Sequence, residues 1–145
     1  MEGVNQQYTK QLVRPDPKNF VVDQAIAAAE LQMLKGDFDG FGTILDLMNS
    51  GNEKAFHWVT TQIISDNQNY VYHMTGHCFS AADKKLPAGL YCLGYIYEHG
   101  NARIRRNQTK ALEKYKEAAD LGFQPAVAAY ERLSQSSLIQ VLEKS

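Results

Sequence analysis

Residues 88–100 read AGLYCLGYIYEHG. The apolar spacing is that of a helix, yet two glycines, a cysteine and three tyrosines stand where leucines would make a simpler core. Glycine inside a helix costs ~1 kcal/mol relative to alanine. Gly89 and Gly94 therefore need an offset, and the one they suggest is close approach of two helix backbones. The tyrosines then fill the gaps that this approach leaves against a neighbouring hairpin.

The rest of the chain reads the same way. From Phe20 onward no segment alternates apolar and polar residues as a half-buried strand would. VVDQAIAAAELQMLKG stops at Gly36, FGTILDLMNSG at Gly51, the opening stretch at Gly100 and NQTKALEKYKEAADLG at Gly122. Glycine just past the last periodic residue is a helix stop. EKAFHWVTTQIIS runs into the polar DNQN, YVYHMTGHCFSAAD turns through KKLP, and Pro125 opens a last helix where its missing N–H costs nothing. These runs predict seven or eight short helices.

They also repeat. AADKKLPAG (81–89) and AADLGFQPA (118–126) align 37 residues apart at Ala81/Ala118, Ala82/Ala119, Asp83/Asp120, Leu86/Phe123 and Gly89/Ala126. Gly51 and Ala55 hold the same four-residue spacing as Gly122 and Ala126. Ala25 precedes Gly36 by eleven residues, as Gly89 precedes Gly100. Small residues at 25, 55, 89 and 126 thus open units of 30, 34 and 37 residues. A period of this size denotes helical hairpins, each unable to bury its apolar face without a stacked neighbour.

One unit carries a family resemblance. Leu93-Gly94, Tyr97 and Gly100, then Ile104, then Lys110-Ala111-Leu112, Tyr115, Ala118-Ala119 and Gly122 stand in the order and spacing of a Sel-one-like repeat, a relative of the tetratricopeptide repeat. Asn107 stands where that family prefers Asp, although both cap a helix, and Lys114 replaces a usual Trp. The resemblance is clearest over 89–125. Residues 55–88 keep the alanine pair but place Cys78 where Tyr115 stands, and 25–54 are closer to a generic tetratricopeptide unit. From 126 on, Tyr130-Glu131 replaces the Leu-Gly pair, as in a capping helix. The resemblance implies an all-α fold: an α-solenoid of stacked hairpins wound as a right-handed superhelix, binding proteins or peptides with no chemistry of its own. The expected organisation is a flexible N-terminal arm over 1–19 and a single repeat domain over 20–145, with units 25–54, 55–88 and 89–125 and a cap from 126.

Composition agrees with a binding module of this kind. The chain's 145 residues suffice for one core. A formal net charge of −1 gives no overall field toward nucleic acid or membrane. No apolar stretch approaches the ~20 residues that span a bilayer. The polar opening MEGVNQQYTKQLVRPDPKN has no hydrophobic middle of a secretory signal, so a cytoplasmic location is the expectation.

Several constellations invite chemistry. His73, His77 and Cys78, with Cys92 across the next turn, are zinc-ligand types. In the repeat register, however, the histidines fall on a polar face and Cys78 in the core, so no metal or cofactor is expected. Cys78 and Cys92 flank the KKLP turn at similar distances, which would let antiparallel helices set their sulfurs at one height. GDFDGFG (36–42) fits neither a calcium loop nor a phosphate loop and reads as an inter-helix turn. None of the histidines at 57, 73, 77 and 99 has a nucleophile and orienting group beside it in sequence, so catalysis is not expected.

The candidate site is the concave groove lined by the first helix of each hairpin. Positions three, six, seven and ten beyond each small residue are expected to face it, which gives Trp58 and Gln62, then Cys92, Tyr95, Ile96 and His99, then Arg132. Trp, Tyr and Arg are the types that dominate binding energy at interfaces. The basic loop ARIRR, with Arg103, Arg105 and Arg106, is a secondary candidate for an acidic segment. The expected role is an adaptor or scaffold holding a protein or peptide. The alternative is an inhibitor or immunity-type protein occluding an enzyme. Assembly with a second copy or another chain stays open.

Overall fold

The computed structural model describes residues 17–144, and residues 1–16 of the expected N-terminal arm lie outside this range. Seven helices, and no strand, occur among the described residues: α1 (Pro17–Leu34), α2 (Asp39–Asn49), α3 (Glu53–Gln62), α4 (Gln68–Asp83), α5 (Pro87–His99), α6 (Gln108–Asp120) and α7 (Gln124–Lys144). The first helix already includes 17–19, which the sequence reading assigned to the arm. None of these helices is long and apolar enough to cross a membrane.

Chain stops are built to one pattern. At Gly51 the amide donates to Met48 O (3.0 Å) and the next amide, of Asn52, to Leu47 O (3.1 Å). The same pair recurs at Gly122 (to Ala119 O, 2.9 Å, with Phe123 to Ala118 O, 3.1 Å) and at Gly36 (to Met33 O, 2.9 Å, with Asp37 to Gln32 O, 3.0 Å). This arrangement puts one residue in the left-handed region, where glycine carries no Cβ penalty. The φ values of Gly36, Gly51 and Gly122 are 93°, 90° and 87°. The fourth copy sits at Lys85, with φ 60° and the same two bonds, to Ala82 O and, from Leu86, to Ala81 O. The stops at 51, 85 and 122 reproduce the 34- and 37-residue spacing of the sequence repeat. Gly100 differs. Its amide bonds back to Ile96 O, so Gly36 is built like the inter-hairpin stops rather than like its sequence counterpart.

Helix starts use asparagine. The side chains of Asn52, Asn67 and Asn107 accept from the amides of Ala55, Tyr70 and Lys110, each satisfying one orphan donor of a first turn. Leu86 cannot do this for α5. Asn49 at the end of α2 supplies the oxygen instead, accepting from Ala88 N at 2.7 Å.

Consecutive helices pack on each other except between α3 and α4, where the chain bends through 63–67. In addition α2 packs against α4 and α5, and α3 against α5. Hence α5 is surrounded by α2, α3, α4 and α6, and eight of its residues, from Ala88 to Gly94 and Ile96, are buried. Its composition follows from that position. A Cβ on Gly89 would stand 2.5 Å from Ala81 Cβ and 2.6 Å from Ala82 N, so α4 and α5 touch backbone to backbone there. A Cβ on Gly94 would meet the Tyr115 ring at 2.6 Å. Gly94 therefore makes room for a buried tyrosine of α6 rather than for its backbone. One continuous cluster of buried apolar side chains runs from Ile26 to Leu133.

Candidate functional site

A cleft of about 920 Å³ opens among the described residues. One wall is the α2–α3 turn and the first turns of α3, from Asn49 to Phe56. The other is the start of α7, with Gln124, Pro125, Ala128 and Arg132, and Tyr91 of α5 lies between them. The floor is aromatic: Tyr91 packs 5.1 Å from Phe56 and 5.7 Å from Phe123, centroid to centroid. The ladder continues along α5 from Tyr91 to Tyr95 (6.2 Å, stacked) and from Tyr95 to His99 (4.3 Å).

Past Arg132 the groove turns polar. A second cleft, of about 510 Å³, is lined by Glu98, His99, Arg106, Gln108, Arg132, Ser136 and Gln140. Arg132 belongs to both clefts. Gln124, Ala128, Arg132, Ser136 and Gln140 follow one another at i, i+4 spacing and form one stripe of α7, apolar cleft at its start and polar cleft beyond.

Glu98 anchors the middle of this groove. Arg132 donates to it through both terminal nitrogens, at 2.7 and 2.8 Å, and the Tyr115 hydroxyl donates at 2.8 Å. Such bidentate pairing is the strong form of a charge-assisted contact. The Glu98 side chain is only 12% exposed, against 56% for Arg132. Burial works to raise the Glu98 pKa, but the bonds from Arg132 and Tyr115 outweigh it and hold the carboxyl below its ordinary value of 4.5. Burial, and then the bond to Glu98, push the Tyr115 hydroxyl far above the usual tyrosine range. Helices α5, α6 and α7 are thereby tied through three side chains at the groove's midpoint.

Of the residues expected on the concave face, two on α5 lie elsewhere. Cys92 and Ile96 were expected on the groove and are fully buried. One residue is 100° of helix, and α5, enclosed by four helices, needs its +3 and +7 positions for the core. Tyr91, at the +2 position, lines the cleft instead and stacks on Tyr95, at the expected +6 position. Tyr95, His99 and Arg132 do lie along the groove.

Trp58 and Gln62 are half-buried. Trp58 packs 6.1 Å from Phe41, and with Asp23, Ile26, Glu53, Lys54 and His57 it lines a separate, shallower cleft between α1 and α3.

The basic loop is engaged with the fold. The Arg103 guanidinium lies 4.4 Å above the Tyr72 ring and donates to Tyr72 O, and Arg106 Nε donates to Glu98 O. Arg105 is exposed. The loop is pinned by Asn101, whose amide donates to Ile63 O and Thr75 Oγ1 while its oxygen accepts from the amides of Arg103 and Ile104.

His73 stacks on Phe38 at 4.2 Å and His77 meets Phe41 edge-on, while Cys78 is fully buried. Phe56, Phe123, Ala128 and Glu98 are groove residues the sequence reading missed. The i, i+4 stripe from Gln124 to Gln140 was a legible signal for the α7 wall, whereas nothing local marks Glu98.

No protein-family model, curated protein or solved structure matches this chain.

Proposed function

We propose that the chain is a protein-interaction module, an adaptor or scaffold that seats a short segment of a partner in the groove between α3, α5 and α7. The observation that carries this reading is the continuity of the groove: an apolar cleft floored by Phe56, Tyr91 and Phe123 leads at Arg132 into a polar one. A long channel with an aromatic floor and a polar end suits an apolar side chain followed by hydrogen-bonding backbone or side chains. The matching turns at 51, 85 and 122 support a stack of helical hairpins of the Sel-one-like, right-handed type. Binding rather than chemistry is the role this groove favours, because its most prominent charged pair, Glu98 and Arg132, is committed to holding three helices together. A concave cleft of about 920 Å³ suits a short segment better than the broad footprint of the folded enzyme that an inhibitor would occlude.

Selection of a displayed random peptide library against the protein tests this. Peptides enriched on the wild type are expected to lose at least tenfold in affinity to Ala128→Arg, which fills the apolar cleft from its rim. They should lose a comparable amount to Phe56→Ala. Peptides that bind both variants as tightly as the wild type would place the interaction surface elsewhere.

A further inference from the structure

Cys78 and Cys92 are both free thiols and both 0% exposed. They face each other by the register of α4 and α5. Gly89 lies against Ala81, where the two backbones touch. Cys92 is three residues beyond Gly89, and Cys78 three residues before Ala81, so each cysteine is one turn further from the connecting hairpin on the same face of its helix. Burial first, and then the neighbouring Cys78 thiol, push the Cys92 thiol well above its ordinary range, and Cys92 Sγ reaches Met48 Sδ at 4.0 Å. The glycine that brings the helices together thus also sets the two cysteines on facing turns.

We infer that Cys78 and Cys92 form an intramolecular disulfide when the protein meets a small-molecule disulfide oxidant, stapling α4 to α5 without disturbing the fold. The step is a thiol–disulfide exchange. One cysteine, as its thiolate, attacks a sulfur of the reagent, forming a mixed disulfide and releasing one reagent thiol. The second cysteine, having given its proton to solvent, displaces the other reagent thiol and closes the Cys78–Cys92 bond. Two protein thiols are oxidised and one reagent disulfide is reduced to two thiols.

The core decides which product accumulates. A mixed disulfide leaves a bulky group at a position with no exposed surface, so it persists only while the helices are parted. The internal bridge adds no atoms and lets them close again. Burial also governs the rate. Thiolate formation is suppressed in the closed form, so reaction proceeds through transient opening of the α4–α5 contact.

The test is incubation of the native protein with excess glutathione disulfide at pH 8, followed by acid quench, intact mass measurement and peptide mapping without reduction. The expected product has lost two hydrogens, joins the peptides containing Cys78 and Cys92, and reverts with dithiothreitol. Closing a loop of this size is expected to raise the melting temperature by about 5–10 °C. Cys78→Ser and Cys92→Ser each remove the product. Should either variant fold poorly, the wild-type mass and melting comparison stands alone. Stable glutathione adducts without the bridge, thiols still reduced after incubation, or an oxidised form that melts lower than the reduced one would each overturn the inference.

Discussion

Helices α2 and α5 are the two inner helices, and each carries two glycines, but the glycines do different work. In α2, Gly40 is a contact: a Cβ there would stand 2.6 Å from Ala29 O. Gly42, one residue past Phe41, faces open space with nothing within 4 Å. In α5 both glycines are contacts, Gly89 against the α4 backbone and Gly94 against the Tyr115 ring. The difference follows from enclosure. Thr43, Asp46 and Ser50, in and just after α2, face water, while α5 buries eight of its 13 residues, seven of them consecutive from Ala88 to Gly94. A helix with a free face can concentrate large residues such as Phe41, Ile44 and Met48 on the other. An enclosed helix must alternate large and small residues around its whole circumference.

This contrast breaks most sharply at Gly89. Gly89→Val should cost 3 kcal/mol or more, because the new side chain meets backbone that cannot rotate away, and chemical denaturation monitored by circular dichroism measures it. Gly94→Ala should cost about 1–3 kcal/mol, since the Tyr115 ring is held at its hydroxyl by Glu98 and cannot swing clear. Loss of that tie itself is smaller: Tyr115→Phe should cost about 1–2 kcal/mol by removing a hydrogen bond to a buried carboxylate.

The same carboxylate sets a pH dependence. The folded-state pKa of Glu98 lies below 4.5. Its stabilisation is therefore complete above the ordinary carboxyl range and is lost as pH falls through the folded value. Melting temperature plotted against pH from 6 to 3 should fall less steeply for Glu98→Gln than for the wild type.

Two changes should act in the opposite direction. Gly42→Ala is expected to stabilise by up to ~1 kcal/mol, a helix-propensity gain with no clash. Lys85→Gly should stabilise by about 1 kcal/mol, since Lys85 occupies the left-handed position that glycine fills at 36, 51 and 122. Parallel melting curves of Gly42→Ala and Gly94→Ala give the most economical check. Opposite signs for the same substitution confirm that enclosure, not glycine content, separates the two helices.

The helical architecture was legible because its signals are local. Glycine stops at 36, 51 and 122 and the Asn107 cap are dictated by one or two residues each, and the structure has them where the sequence places them. The equivalence of 85 and 122 was legible through the alanine pairs, even though lysine replaces glycine at 85, and that of 51 and 122 through the four-residue spacing to Ala55 and Ala126. The groove was only half legible. Which face of α5 points into it depends on how many helices surround α5, and that is a property of tertiary contacts such as α2 against α5. The cap on α5 from Asn49, 39 residues away, and the convergence of Glu98, Tyr115 and Arg132 from three helices leave no pattern in the chain to read.

The groove between α3, α5 and α7 is the proposed seat of a partner segment. Backbone amide shifts of the isotope-labelled protein, recorded with and without the tightest library-selected peptide, test it directly. Perturbations are expected on both walls at once, residues 49–56 and 122–132, extending toward Ser136. Perturbations confined to α4 and the loop 101–107, with both walls unchanged, would contradict this proposal.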